Sequence, residues 1–444
     1  MKFTMWLLLQ DFGIIAILIL IGQILRAKFT VFQKFLIPSP LIAGFIGLAL
    51  GPNGLKVLPL SNNLGVYASV LIVLVFASMP IGQKVTKESI VNRNVGGMFF
   101  NLVGMTMLQY GIFTLLNMYV LRKFYDLHPG FGIILPTGFV HGHGTAAAIG
   151  ATFASLGWNE ALDLGMTSAT FGLVGGILLG IVMINWAARK GYTSYVKDSK
   201  DLSEDLLTGL IPIDKQKSGG RTTISGICLD TFTFHLSLVL MASGTAYMFC
   251  NFVKAKAGFS LPEFCIAMFF GFILQEILTK TGTNCYVDRY TISRISGTAT
   301  DLLVVCGVAG VKIAAVMKYF VPLLIIFVLG YALVIAWLVY VAPLCSDKDW
   351  FERGMIAFGQ ELGVLATGIL LLRIVDPDLK SRGLEDSGTI NIIDRPLIIA
   401  LQTMMPYFLC QAGLIPYISG WVCMLIFIIV LLIAIKFKWI RKPC

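Results

Sequence analysis

"ILPTGFVHGHGTAAAIG" (134–150) is the stretch whose reading decides the fold. It is apolar at both ends, yet it holds Pro136, Gly138, Gly142, Gly144 and Gly150, and two histidines, His141 and His143. A simple spanning helix does not tolerate that density of breakers. Irregular backbone at membrane depth survives only inside protein or beside water. The pattern predicts a re-entrant segment over 131–155, which enters a membrane and leaves on the same side. A second stretch, 354–374, has the same character, with Gly354, Gly359, Gln360, Glu361, Gly363 and Gly368.

The rest of the chain supports the membrane reading. Of 444 residues, 57% are hydrophobic and 13% charged, where a soluble domain carries about 25% charged residues. Apolar runs of about 20 residues recur throughout, each long enough to cross a hydrocarbon core. Stretches such as "VCMLIFIIVLLIAI" (422–435) show no period-two alternation, so helices and not a β-barrel are expected. The expected class is an all-α polytopic membrane protein. The net charge of +10 is explained by where Lys and Arg sit, and no nucleic-acid partner is expected. The first apolar run, near 5–25, lacks a small-residue cleavage site and reads as a retained span. All nine cysteines follow residue 227, without CxxC spacing. They read as small hydrophobes, neither metal ligands nor disulfides.

The apolar segments fall near 5–25, 36–55, 64–82, 96–121, 131–155 and 162–188, then near 231–253, 261–279, 297–317, 320–343, 354–374, 395–415 and 418–438. A polar stretch of mixed charge, 189–228, separates the two sets. The halves align without gaps over "IPSPLIAGFIGLAL" (37–50) and "LPEFCIAMFFGFIL" (261–274), which share Pro38/Pro262, Ile42/Ile266, Ala43/Ala267, Phe45/Phe269, Gly47/Gly271 and Leu50/Leu274. In the same order, "FVHGHGTAAA" (139–148) falls on "FGQELGVLAT" (358–367). The expected organisation is a first five-span repeat (1–188), a cytosolic linker (189–228), a second, inverted repeat (229–415), and an extra span with a basic tail (416–444). With the linker inside, the N-terminus is outside and the C-terminus cytoplasmic. Most of the 34 Lys and Arg then lie inside, including Arg26, Lys28, Lys34, Lys84, Lys87 and Arg93; Arg122 and Lys123 are exceptions.

Inverted repeats with broken helices meeting at mid-membrane are the architecture of many secondary transporters. A helix N-terminus at a break offers free N–H groups and a positive dipole end to a carboxylate. Exposed carbonyls and hydroxyls offer oxygen ligands to a cation, and glycine lets backbone approach the ligand. The candidate substrate-binding residues are Gly142, His143, Gly144, Thr145, Gln360 and Gly363. The candidate ion-binding or coupling residues are Thr170, Glu361 and Thr367. The competing reading of the HGHGT break is a kink packed against its neighbours.

These residues resemble a known family. "GHGT" (142–145), "MTSATFGLVGG" (166–176) and "IPSPLIAG" (37–44) are similar to motifs of the glutamate:sodium symporter family. That family carries a Gly-Gly-His-Gly-Thr-type re-entrant motif and an Ala-Thr-Phe-Gly-Leu-Val helix, the latter unaltered here as Ala169–Val174. The resemblance runs from about 36 to 415 and is specific in the first half. It implies inverted five-span repeats, an external N-terminus, a homodimer in the cell membrane, and Na⁺-driven symport of glutamate or a related small carboxylate by alternating access. It implies no cofactor beyond Na⁺ as coupling ion. The chain departs from the pattern at His141, which replaces the first glycine, and in "GQELGVLATGILL" (359–371). There Gly363, Ala366 and Thr367 match the family's Gly-rich motif ending in Gly-Ala-Thr-Pro-Thr, but Gly368 stands for its proline, and Gln360 and Glu361 are added.

Ionisable residues at membrane depth point to function. Glu361 has three functional readings: a proton carrier, an Na⁺ ligand, or a partner of His141. Its bland reading is a solvated carboxylate at the cytosolic mouth. Asp301 and Lys312 are read on one segment, three helical turns apart, with Lys312 snorkelling outward. Arg373 is read in the cytosolic rim beside Asp376, and Asp11 as interfacial. Two alternatives stand beside Na⁺ symport: a proton-coupled carboxylate transporter, and a membrane-embedded metal-dependent enzyme using His141, His143 and Glu361. Zinc needs three or four ligands, and the other histidines are His128, on a predicted outer loop, and His235, at the start of a span, so no metal site and no catalytic residue is assigned. No phosphate-binding G-x-x-x-x-G-K-[ST] loop is present.

Overall fold

The structure, a computed structural model, describes residues 4–34, 37–82, 93–140, 142–195, 208–213, 216, 218–257, 261–346, 349–376 and 380–441. His141, Lys84 and Lys87 lie outside the described residues. Among the described residues the regular structure is all helical, with no strand. The helices that matter here are α1 (Met5–Lys28), α2 (Ser39–Leu50), α3 (Leu64–Ser78), α4 (Arg93–Phe124), α5 (Pro129–Phe139), α6 (Gly142–Ser155) and α7 (Ala161–Lys190). After the linker come α8 (Thr231–Ala257), α9 (Glu263–Lys280), α10 (Arg289–Ala309), α11 (Phe320–Cys345), α12 (Trp350–Glu361), α13 (Leu365–Val375), α14 (Gly383–Leu409) and α15 (Ile415–Lys436). Seven of them, α1, α4, α7, α8, α10, α11 and α15, are long and apolar enough to cross a membrane. The chain is a multi-pass membrane protein.

The helices gather into two units, each drawing on both sides of the linker. One comprises Met1–Leu25, Pro38–Val85 and Leu210–Val311; the other Arg26–Ile37, Thr86–Gly209 and Lys312–Cys444.

In the first unit, α3 and α2 pack on α10, and α8 and α9 pack on each other and on α3. The core between them is built from Ala77, Ile81, Val239, Ala246, Ala267 and Ile292. Small residues recur at these crossings because they let helix backbones approach in lipid, where apolar burial alone does not drive association. The aligned segments occupy equivalent positions: Pro38 and Pro262 are both N-caps with extended backbone. Proline suits a helix start, since its missing N–H has no intrahelical partner to lose there.

Two expectations are corrected here. Asp11 is fully buried in α1 and not interfacial. It accepts hydrogen bonds from the Ser61 N–H (2.9 Å), the Ser61 hydroxyl and the Tyr67 hydroxyl (2.7 Å), so it pins the loop between α2 and α3. The segment read at 297–317 is a helix over Arg289–Ala309. Asp288 caps its start by accepting from the Thr291 N–H, and the chain leaves the helix at Gly310. Asp301 and Lys312 therefore do not share a helix. His235, at the start of α8, is structural: its Nδ1 bonds the Thr231 carbonyl and its Nε2 accepts the Asp288 N–H at 2.7 Å.

In the second unit, the order long helix, hairpin, long helix occurs twice, as α4, α5–α6, α7 and as α11, α12–α13, α14. Both long helices that precede a hairpin contain π-helical turns, at Phe100–Gly104 and Asn117–Leu121 in α4 and at Trp337–Val341 in α11. Such turns are frequent at functional sites. The extra helix α15 seats on α4, where Gly111 faces Met424 and Gly420 faces Leu115.

Candidate functional site

The site lies within the second unit and is organised along α7. The α5–α6 hairpin packs on its first half. The Leu135 carbonyl accepts from Ser168, Gly138 abuts Ala169, and Phe139 reaches Gly172. The chain then turns back: His143 meets Thr170, Ala146 meets Gly165, and Gly150 meets Leu162. The two ends of the hairpin close on each other, with Gly130 against Phe153 and the His128 ring stacked on Trp158 at 4.3 Å. This is a helical hairpin over the predicted 131–155, and its arms end at Phe139 and begin again at Gly142.

The α12–α13 hairpin packs on the other half of α7. Leu362 lies against Gly172 and Gly176, Leu371 against Gly180, and Trp350 against Tyr192 beyond the C-terminal end of α7. Gly359 and Gly368 bring its two arms into backbone contact: a Cβ added to Gly359 would come within 2.6 Å of the Gly368 backbone. Its tip is at 362–364. The hairpins thus approach from opposite ends of α7, and their tips touch midway along it. A Cβ on Gly142 would fall 2.8 Å from Val364 Cγ1 and 3.4 Å from the Gly363 carbonyl oxygen. Gly142 also has φ +67°, a left-handed conformation that glycine adopts without steric cost.

At this junction α6 and α13 begin and α5 and α12 end. Two helix N-termini, with their unsatisfied N–H groups and positive dipole ends, converge beside two C-terminal carbonyl ends. One pair suits an anion and the other a cation.

The predicted site residues divide by environment. Gly142, His143, Thr145, Thr170, Gly363 and Thr367 are buried around the tips, and Gly144 is half-buried. His143 Nε2 lies 3.0 Å from Thr170 Oγ1. Thr170 gives its hydroxyl proton to the Met166 carbonyl at 2.9 Å, so its oxygen accepts and His143 Nε2 is the donor. Thr367 Oγ1 accepts from the Val364 N–H at 3.4 Å, which ties it to the second tip.

Gln360 and Glu361 point away from the tips, into the surrounding helices. Gln360 exchanges hydrogen bonds with Asn391 on α14, donating at 2.7 Å to Asn391 Oδ1. Glu361 accepts from Thr106 (2.9 Å) and from the Gln109 amide (3.0 Å), both on α4. It is 3% exposed and borders a small cavity lined by Asn101, Met105, Trp337 and Phe358. It is not the solvated carboxylate of the bland reading. Thr106, Gln109 and Asn391 escaped the sequence reading because one polar residue in a long apolar helix does not reveal which way it faces. Arg373 is exposed near the end of α13, while Asp376 is buried and accepts from the Lys380 and Ser381 N–H groups. Lys312 is exposed, and its backbone N–H donates to Asp163.

The family profile of the sodium/glutamate symporter matches residues 7–368, which takes in the first hairpin and the second as far as the start of α13. The chain belongs to the sodium/glutamate symporter family. It is 23% identical over 372 residues to the sodium/glutamate symporter of Escherichia coli (strain K12), covering 80% of this chain and 86% of that protein. The sodium/glutamate symporter of Haemophilus influenzae (strain ATCC 51907 / DSM 11121 / KW20 / Rd) is 21% identical over 381 residues, covering 82% and 88%. The Shigella flexneri protein of the same name matches at 23%. Membership of a symporter family sets aside the membrane-enzyme alternative. The profile stops at residue 368, so α14 and α15 lie beyond the matched region.

Proposed function

We propose that this chain takes up glutamate, or a related small carboxylate, by symport with Na⁺ across the cell membrane. The observation that carries the reading is the meeting of the two hairpin tips at Gly142 and Gly363–Val364, where two helix N-termini converge. The free N–H groups from Gly142 to Thr145, with His143 and Gly363, hold the substrate carboxylate. Gln360, two residues before the tip, fixes the second hairpin through Asn391. Thr170, Thr367 and nearby carbonyls coordinate the cation, and Glu361 couples the ion to movement of the second hairpin. Hairpins that approach from opposite ends of α7 suit alternating access, since either one can open while the other seals.

The twice-repeated order of elements supports two inverted five-span repeats, 1–188 and 229–415, joined by a cytosolic linker at 189–228. With α15 as an eleventh span, the N-terminus is outside and the C-terminus cytoplasmic. The protein works as a homodimer. The test is glutamate uptake into proteoliposomes under an imposed inward Na⁺ gradient. Concentrative uptake is expected; equal uptake with K⁺ replacing Na⁺ would remove the sodium coupling from the proposal.

A further inference from the structure

Two cavities of the second unit share a wall. The inner one is bounded by Glu361, Phe358, Trp337 and Asn101. The outer one is bounded by Asn101, Asn94, Ser346 and Arg353. Asn101 therefore stands between them, in a seam enclosed by α4, α11 and α12. On α12 the seam follows Trp350, Arg353, Gly354, Ala357, Phe358 and Glu361, whose steps of three and one keep them on one helix face. From Trp350 to Glu361 it runs about 16 Å. Its outer end lies where Trp350 meets Tyr192 and Glu352 accepts from the Ser194 N–H, at the linker end of α7. The two cavities join at two irregular turns. Asn101 lies in the π-helical turn of α4 and Trp337 opens that of α11, and the Trp337 indole donates to Asn101 Oδ1 at 2.7 Å. Each cavity has room for about one water molecule and supplies at least the two polar partners that a buried water needs.

Glu361, at the inner end, has partners for both of its protonation states. As a carboxylate it accepts from Thr106 and from Gln109 Nε2. Gln109 Oε1 is buried and has no hydrogen-bond partner among the described residues. Turning that amide over exchanges its nitrogen for its oxygen, which then accepts from the protonated carboxyl. The other titratable groups around Glu361 are Tyr110 on α4 and Asp394 on α14, both of which interact with it electrostatically. Arg353, two turns back on α12, is neutralised by Asp386 on α14. The α11 wall is Val334, Trp337 and Leu338, α7 meets the hairpin tip with Gly172 and Gly176, and Arg373 on α13 is exposed. A hard cation takes about six oxygen ligands, which this wall does not supply. We propose that the seam is a proton route, by which Glu361 gains and loses a proton at the linker end of the second unit. The carboxyl gives its proton to a water in the inner cavity. The excess proton passes to the outer cavity when the Asn101 side chain yields, and it leaves beside Ser346 and Arg353. Glu361 remains as the carboxylate, and the reverse sequence reloads it. The consequence for uptake rests on the coupling role given to Glu361 above; the route itself does not.

The test is infrared difference spectroscopy of the full-length protein in lipid bilayers. Subtracting the spectrum of Glu361→Gln isolates the carboxylic-acid C=O stretch of Glu361. That band is expected to grow as the pH is lowered from about 9 to about 5 and to shift when the protein is transferred to D₂O. Ala357→Leu and Asn101→Leu each put a side chain where the water would stand, so each is expected to slow the shift about tenfold. Asn101→Ser, which keeps a polar group and adds space, is expected to exchange at the wild-type rate. A Glu361 band absent at every pH overturns the proposal, as does exchange at the wild-type rate in both leucine variants. The band is read without substrate or a Na⁺ gradient, so failure of the proton route and failure of sodium symport give different results.

Discussion

His143 Nε2 donates to Thr170 Oγ1 at 3.0 Å, joining the first residues of α6 to the middle of α7. The threonine hydroxyl proton is already committed to the Met166 carbonyl, so toward His143 its oxygen serves as an acceptor. Thr170→Val leaves the His143 N–H buried without this acceptor, a loss of about 1–3 kcal/mol. Thr170→Val is expected to raise the half-saturating Na⁺ concentration for uptake about tenfold, while Thr170→Ser stays near wild type. Equal Na⁺ dependence in both variants would show that the hydroxyl only packs.

Gly142 sits at φ +67° against Val364. Gly142→Ala adds a Cβ to a left-handed residue, a strain of about 1–2 kcal/mol, and a clash with Val364. Uptake is expected to fall about tenfold or more with normal membrane insertion. Adding Val364→Ala relieves the clash but not the backbone strain, so recovery should be partial. Full activity of Gly142→Ala alone would mean that the tips are not in contact during transport.

Glu361 is held by Thr106 and Gln109 and is shielded from water. Glu361→Gln keeps the volume and removes the charge. Na⁺-driven uptake should drop about tenfold or more with a melting temperature close to wild type. Glu361→Ala strands two buried donors, each a loss of about 1–3 kcal/mol, so it should also melt several degrees lower. A Glu361→Gln variant that keeps its Na⁺ dependence and loses only its pH dependence would assign the carboxylate to protons.

His128 stands between α4 and α5, outside the spans, stacked on Trp158. Burial pulls its imidazole from the ordinary 6.5 down to about 4; Arg122 adds to the shift and Glu160 opposes it. The folded protein therefore resists protonation that the unfolded chain accepts. Its contribution to stability is complete above about pH 6.5 and is lost as pH falls toward 4. Thermal unfolding of purified protein from pH 7.5 to 4.5 should show a decline that is shallower in His128→Asn. Superimposable pH profiles for the two proteins would remove His128 from this role.

The sequence by itself determined the class of this protein and the position of its breaks. Long apolar runs leave the backbone no partner but itself in lipid, so helices follow from composition. The glycine-rich stretches 136–150 and 354–368 contain the two breaks, at Gly142 and Gly363; Gly138, Gly150, Gly354, Gly359 and Gly368 lie inside the helices beside them. The family motifs at 37–44, 142–145 and 166–176 followed from the same local pattern.

Only the tertiary structure decided what the breaks meet. That Gly142 touches Val364, 222 positions along the chain by their numbers, depends on two hairpins packing on opposite halves of α7. The carboxylate of Glu361 is dry because α4 turns Thr106 and Gln109 toward it. Asp11 is buried because Ser61 and Tyr67 reach it from a different segment. Burial and hydrogen-bond partners are properties of facing surfaces, and a local pattern records only one of the two faces.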